Sequence, residues 1–492
     1  MFRIGFDCQK YIELQSRNIV DRISRFNKLY IEFGGKLFDD YHASRVLPGF
    51  EPDTKIKMLL ALKDKVEMML VISADDIEKN KVRGDLGITY SQDLFRLIDA
   101  FRSVGLDVGS VVITRYQKQP AAQKLRRALE RSKIKVAYHY PIHNYPNDVD
   151  MILSKDGFGK NEYIETAKEI VVITAPGPGS GKMATCLSQM YQDYLHGIRA
   201  GYAKFETFPI WNLPLNHPVN LAYEAATVDL NDVNMIDPFH LEAYQKTAVN
   251  YNRDVEVFPV LNNLLQKITG ETIYRSPTDM GVNMVGFCIS DDDACQDAAK
   301  REIVRRYYNE QVRLRRDESS EEAIAKLELI MTKAGIDKNY REVIPIAEKL
   351  AEKTGEPVVS LELPDGRIVT GKTSKLMGAS SACLLNCLKI LSGLPDINLL
   401  SSRIIEPVQE LKTTYLKGHN PRLHTDEVLV TLAIESTTSD ICQQAMNALP
   451  LLKNCDAHST VILSEVDRKT FKKLGVHLTE SPVYQSKRLY HK

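Results

Sequence analysis

The feature that most constrains this 492-residue chain is a recurrence. Apolar or β-branched runs at Leu29 to Phe33, Val66 to Ile72, Val108 to Thr114, Lys135 to Tyr140 and Ile170 to Thr174 are separated by amphipathic stretches such as Ser91 to Val104 and Ala121 to Ser132. Short runs that are apolar throughout fit strands covered on both faces, and helical-period segments between them fit crossovers. The expected fold class is therefore α/β, with an N-terminal doubly wound parallel sheet of Rossmann or P-loop type. Ligands of such sheets sit beyond the carboxyl ends of the strands. The residues that follow the runs are suitably polar: Gly34 and Gly35, Ser73 with Asp75 and Asp76, Arg115, His139 with His143, and a glycine-rich loop after Thr174.

That loop lies in EIVVITAPGPGSGKMATCLSQM, Glu169 to Met190, which reads as strand, loop and helix. Glycines at 177, 179 and 181 can adopt positive φ and bring backbone N–H groups close to a ligand, while the helix that opens near Lys182 aims its positive dipole end at the same place. The candidate phosphate- or nucleotide-binding residues are Gly177, Gly179, Ser180, Gly181, Lys182 and Thr185. The match to GxxxxGK[ST] is incomplete, with Pro176 at the first glycine and Met183 at the Mg²⁺-binding hydroxyl. Thr185 stands two residues too late for that hydroxyl, and the dinucleotide pattern GxGxxG fails at Lys182.

Downstream, LNHPVNLAYEAATVDLNDVNMIDPFHLEAY is dense in polar residues, and Asp229, Asp232, Asp237 and His240 lie close together in sequence. As carboxylates and an imidazole near a phosphate loop, they are the candidate catalytic residues, as general base or as ligands of a Mg²⁺ ion. Helix caps and turns account for the same residues, since Asp and Asn favour N-caps and Asp237-Pro238 is a typical helix entry. The segment YRSPTDMGVNMVGFC reads as a loop with a short strand, and a long helix follows from Asp291 to about Arg316. The basic end of that helix, RRYYNEQVRLRR, complements the macrodipole and reads as a solvated or interface-forming face rather than a nucleic-acid patch.

From about residue 325 a second α/β unit is expected. Helices around Ala325 to Ala334 and Arg341 to Lys353 precede a hairpin, Val358 to Leu363 and Arg367 to Thr370, that turns at Asp365-Gly366. Helices at 378 to 392 and 400 to 416, a strand at Val428 to Glu435, a helix at 438 to 449, a strand at Thr460 to Val466 and a last strand near Val476 complete it. This order suits a three-layer α/β sandwich like the cytidine-deaminase-like fold, without its zinc, because HxE and PCxxC are missing. The domain expectation is 1–230 nucleotide-binding-like, 231–322 helical and mixed, and 323–492 C-terminal α/β. Within the last, GRIVTGKT at 366 to 373 satisfies GxxxxGK[ST] in full, yet its Arg, Ile, Val and Thr are strand formers that resist positive φ. The adjoining Lys372, Thr373, Ser374, Lys375, Ser380 and Ser381 crowd a helix mouth, where capping and anion binding both fit.

Composition narrows the function classes. With 64 basic and 64 acidic side chains the chain has no global field that attracts nucleic acid or an anionic membrane. No stretch reaches the ~18 apolar residues of a membrane span, and the N-terminus MFRIGFDCQK has no apolar signal region, so a cytoplasmic location is expected. The eight cysteines form no CxxC pair and read as reduced, mostly buried thiols. The long helix and the several domains favour a homo-oligomer.

Together, TAPGPGSGKMATCLSQMY, LNHPVNLAYEAATVDLNDVNMIDPFHLEAY, SPTDMGVNMVGFC and GKTSKLMGASSACLLN resemble the bacterial domain-of-unknown-function family 1846 over essentially the whole chain. The resemblance implies a nucleotide-binding-like N-terminal domain, a smaller middle part and a separate C-terminal α/β domain. Some members carry the label ATP-dependent peptidase, but this sequence lacks HExxH and a GxSxG elbow. Three functions fit the residues: an enzyme acting on a nucleotide or phosphorylated metabolite at the loop 176–183, a non-catalytic nucleotide or metabolite sensor, and a variant NAD(P) oxidoreductase with Glu206 as the ribose-binding acid.

Overall fold

The computed structural model describes residues 3–84 and 86–485. Two compact units divide the chain, one made of Gly5–Tyr223 with Asp232–Asp292, the other mainly of Asp293–Lys492 with Glu224–Asn231. Among the described residues no helix is long and apolar enough to cross a membrane. No cysteine forms a disulfide, and all but Cys8 are buried.

The first unit is built on six parallel strands, β1 (Lys28–Phe33), β2 (Val66–Ser73), β3 (Asp107–Thr114), β4 (Lys135–Tyr138), β5 (Ile170–Thr174) and β6 (Ala200–Phe205), in the order β4-β3-β2-β5-β1-β6. β2 and β5 are buried at every position, which accounts for their unbroken apolar sequences. One face carries Tyr30, Met69, Val71, Val112, Val171 and Ile173, packed on Cys186, Leu187 and Met190 of helix Lys182–Leu195 and on Phe258 and Leu261 of helix Asn252–Thr269. Helix Tyr90–Ser103 packs against β2 and β3 through a separate apolar stripe of Leu94, Leu97, Ile98 and Phe101. It starts where a capping box forms, the Thr89 hydroxyl accepting from Gln92 N–H and the Gln92 amide oxygen accepting from Thr89 N–H. β6 ends at Phe205, short of Pro209, which cannot donate to a ladder. In the segment read as a loop and short strand, Ser276 instead caps a short helix, Pro277–Met280, with a single turn at Val285–Phe287. A two-stranded antiparallel ladder, β7 (Asn234–Ile236) with β8 (Val249–Tyr251), completes this unit.

The second unit has a mixed sheet in the order β10-β9-β11-β12, with β9 (Val358–Glu362), β10 (Ile368–Lys372), β11 (Asp456–Ser459) and β12 (His477–Glu480). The expected hairpin is β9 and β10, paired antiparallel. Helix Val343–Thr354 and the long helix Asp292–Arg315 contribute Val343, Ile344, Val304 and Tyr308 to a cluster apart from the main core, where Val359 and Leu361 meet Cys383, Leu384, Val428 and Phe471 of other helices. The sheet is thus a layer between helices. Three arginines of the basic run meet carboxylates of their own helix, Arg305 and Arg306 on Glu302 and Arg313 on Glu310.

Two strand expectations fail here. Val428 to Glu435 is not a strand but the interior of helix Thr425–Glu435, which is started by Glu427 accepting from His424 N–H and Asp467 accepting from Thr425 N–H. Its outer Val430 and Ile434 are 61% and 64% exposed, so apolar residues on both sides erase the helical period. The strand expected at Thr460 to Val466 is displaced to Asp456–Ser459, and Ser464 caps helix Glu465–Lys473 instead. The sequence DAHS does not look like a buried strand. It is one because Asp456 pairs with the fully buried Arg341 at 2.6 Å and His458 Nδ1 meets Thr479 Oγ1 at 3.0 Å.

Candidate functional site

Strands β2, β3 and β4 run outward in order, and the chain then returns to place β5 on the opposite side of β2. This reversal is the topological switch point at which an open parallel sheet leaves a crevice at its carboxyl edge. The glycine loop, Ala175 to Gly181, follows β5 at that point. It extends past the end of β2, because the Thr114 hydroxyl at the end of β3 donates to the Ser180 carbonyl at 2.6 Å.

Each glycine of the loop has its own constraint. Gly179 and Gly181 have φ of +71° and +93°, which disfavour any side chain. A β-carbon on Gly177 would fall 2.4 Å from the Tyr90 hydroxyl, so here the requirement is close approach to a side chain at the start of helix Tyr90–Ser103. Gly181 is also the N-cap of the 14-residue helix Lys182–Leu195 and supplies no side-chain oxygen to its first N–H groups. Ser180 is only 2% exposed, and its hydroxyl has no hydrogen-bond partner among the described residues. Lys182 at the helix entrance and Arg115, which follows β3 with a φ of +54°, make no ion pair among the described residues. Backbone donors, a hydroxyl without a partner among the described residues and two cations without an ion pair among them thus belong to segments at this carboxyl edge, residue types suited to an anion.

The residues do not suit a magnesium ion at this loop. Met183 offers no hydroxyl, and the Thr185 hydroxyl, fully buried, donates to the Gly181 carbonyl at 2.9 Å. The downstream residues also have other duties. Asp237 is fully buried and caps helix Pro238–Tyr244, one oxygen accepting from His240 N–H and the other from the N–H and hydroxyl of Thr278. His240 Nδ1 is 3.0 Å from the Ser276 hydroxyl, and Asp232 pairs with Arg253 at 2.9 Å. Asp229 is exposed in a turn that belongs to the other unit. Among the described residues no group of three or more His, Cys, Asp or Glu is placed to hold a metal ion.

Sequence reasoning did not bring together a second group, at the carboxyl ends of β1 and β6. Glu32 and Lys204 face each other in register, the Tyr202 hydroxyl donates to Glu32 at 2.8 Å, and Lys204 Nζ reaches Asp254 at 2.6 Å and Glu206 at 3.2 Å. Gly34 makes room for this group, since a β-carbon there would sit 2.6 Å from Glu206 Cγ. Burial beside the carboxylates Asp254 and Glu32 pushes Glu206 up to about 7 despite Lys204, whereas those same carboxylates hold Lys204 firmly protonated. Glu206 was visible in the sequence only as an acid at a suitable distance beyond the glycines. Its role as ribose-binding acid is not supported by the topology, because β1 lies between β5 and β6, whereas the dinucleotide arrangement needs the loop strand and the acid strand to be neighbours. Glu32 and Lys204 left no signal, being isolated charges in otherwise apolar runs, and Asp254 reads as one of several charges in the first turn of helix Asn252–Thr269.

The motif at 366 to 373 is not a loop. Its Ile368 to Lys372 portion is β10, and a β-carbon on Gly371 would fall 2.0 Å from the backbone nitrogen of Cys383 in helix Ala379–Leu391. The neighbouring hydroxyls are tied into the fold, Ser381 donating to the Leu423 carbonyl and Ser374 accepting from the N–H groups of Leu376 and Met377.

Comparison with known proteins places the chain. Residues 4–335 match the model described as domain of unknown function DUF1846, N-terminal, and residues 339–490 match its C-terminal counterpart. A UPF0371 protein of Streptococcus pyogenes serotype M5 is 54% identical, and one of Streptococcus uberis 55% identical, each over 494 aligned residues that cover 100% of both chains. The chain that carries this glycine loop therefore belongs to the DUF1846 family.

Proposed function

We propose that this protein is an enzyme of a nucleotide or phosphorylated metabolite and binds the phosphate at the glycine loop, through the N–H groups at the start of helix Lys182–Leu195 and the Lys182 ammonium. The observation that carries this reading is the helix start without a side-chain cap beside the buried Ser180 hydroxyl, which has no partner among the described residues, at the switch point of the sheet. Backbone donors and a cation pre-set around a phosphate supply charge stabilisation with little reorganisation. A sensor that binds the same ligand without turning it over is the second reading, and kinetics separates the two. The reading needs no metal, and a cytoplasmic location suits a phosphorylated ligand.

A thermal-shift screen of the full chain against inorganic phosphate, nucleotides and sugar phosphates tests it. A ligand present at 100 times its Kd adds about 2.7 kcal/mol of apparent stability. A hit that persists unchanged in Lys182→Ala would show that binding takes place elsewhere.

A further inference from the structure

We propose that His139 recognises the anion held at the glycine loop, its Nε2 accepting the proton of a singly protonated phosphate. The loop then takes inorganic phosphate or a terminal phosphomonoester and rejects sulfate and phosphodiesters. This inference rests on the phosphate reading of the loop given above.

Three observations carry it. First, the loop ends beside β3, where the Thr114 hydroxyl donates to the Ser180 carbonyl at 2.6 Å and a β-carbon on Gly181 would lie 3.1 Å from Thr114 Cγ2. His139 is the ladder neighbour of Thr114. Ile113 pairs with Tyr138, the His139 N–H donates to the Ile113 carbonyl at 3.0 Å, and the Tyr116 N–H donates to the His139 carbonyl at 3.0 Å. Adjacent strands are about 4.8 Å apart, so His139 is one strand spacing from the residue that holds the loop. Second, the imidazole is on the loop's side of the sheet. Side chains alternate along a strand, and Val112 and Ala137, two residues before Thr114 and His139, both pack in the cluster that contains Cys186 and Leu187 of the loop helix. The chain beyond His139 is tied to the same helix, the Tyr140 N–H donating to the Asn161 amide oxygen and the Asn161 amide N–H to the Ser188 hydroxyl, each at 2.9 Å. Third, the chemistry left open at Thr114 is specific. The two residues that flank it are Ser180, 2% exposed, and His139, 4% exposed, and neither the Ser180 hydroxyl nor His139 Nε2 has a partner among the described residues. Burial pushes the imidazole down to about 4, so near neutral pH it is uncharged and one ring nitrogen offers a lone pair. The helix N–H groups, the Ser180 hydroxyl, Lys182 and Arg115 are all donors or cations. A single acceptor among donors matches an oxyanion that keeps one proton, whereas sulfate and a phosphodiester have no proton to give it.

The test is calorimetric titration of the full chain at pH 6 with inorganic phosphate, the monoester ribose 5-phosphate, sulfate and dimethyl phosphate. At least one of the two ligands that can keep a proton, inorganic phosphate or the monoester, is expected to bind at least tenfold more tightly than dimethyl phosphate and than sulfate, although sulfate carries the greater charge. His139→Gln, whose amide can turn either a donor or an acceptor toward the anion, should remove most of this preference. His139→Phe, which offers neither, is the second replacement, and thermal melts check that each variant is folded. Sulfate bound as tightly as both phosphates by the native chain, or a preference that survives in a folded variant, overturns the role of His139. If none of the four ligands binds, or all bind Lys182→Ala as well as the native chain, the phosphate reading itself falls. Binding that Lys182→Ala abolishes but that does not favour phosphate over sulfate overturns the role of His139 alone, so the two failures are distinct.

Discussion

Two stretches of this molecule pair glycines with a lysine after or within a strand, just ahead of a helix, and they have opposite uses. GPGSGK at 177–182 departs from the phosphate-loop pattern yet forms a loop, with two glycines at positive φ and a buried hydroxyl that lacks a partner among the described residues. GRIVTGKT at 366–373 fits the pattern yet forms the second half of a hairpin, where Gly371 is a packing residue. The difference teaches that the residues between the fixed positions decide the outcome. Gly and Ser allow a cradle, whereas Ile, Val and Thr favour a strand, and a strand has its N–H groups engaged in a ladder.

The comparison can be broken most directly at Gly371. Gly371→Val places a side chain onto the backbone of Cys383, and a loss of about 3 kcal/mol is expected, measured by chemical denaturation. A variant of native stability would mean that Gly371 has no packing duty. Next in size is the contrast between lysines. Lys182→Ala is expected to weaken phosphate binding at least tenfold, about 1.4 kcal/mol, with little change in melting temperature, whereas Lys372→Ala leaves binding unchanged. Gly366 offers a milder check. Its φ is +85° with open space around it, so Gly366→Ala should cost about 1 kcal/mol through backbone strain alone and leave ligand binding intact. Gly177→Ala, which collides with Tyr90, should impair binding as well.

The smallest effect concerns pH. Glu206, ordinarily a carboxylate that titrates near 4.5, is raised to about 7 by burial and by Asp254 and Glu32. The folded protein therefore holds a proton that the unfolded chain releases between these values, so the stabilisation is complete below about 4.5 and is lost as pH rises through 7. Glu206→Gln should flatten this part of the melting-temperature profile, measured between pH 4.5 and 8. An unchanged slope would assign it to another group.

Much of the first unit was legible because a parallel sheet covered on both faces writes itself as unbroken apolar runs, and five of its six strands lie where those runs predict. The loop after Ile170–Thr174 was legible for the same reason. The second unit was less so, since helix Thr425–Glu435 carries apolar residues on its exposed side and β11 carries Asp456 and His458, whose burial depends on distant partners. Among the candidate catalytic residues, Asp237 was better described by its alternative reading as a cap.

The sequence by itself determined the α/β class, the position of the glycine loop and the misfit of that loop to magnesium, because these depend on local period, on glycine's freedom of φ and on the side chain present at one position. Only the tertiary structure decided which charges assemble at the sheet edge. Glu32, Lys204, Glu206 and Asp254 come from two strands, the loop after β6 and a helix, separated by up to 222 positions in the chain, and their meeting depends on β1 inserting between β5 and β6. Strand order is set by which faces bury best against one another, a global property that no local pattern records.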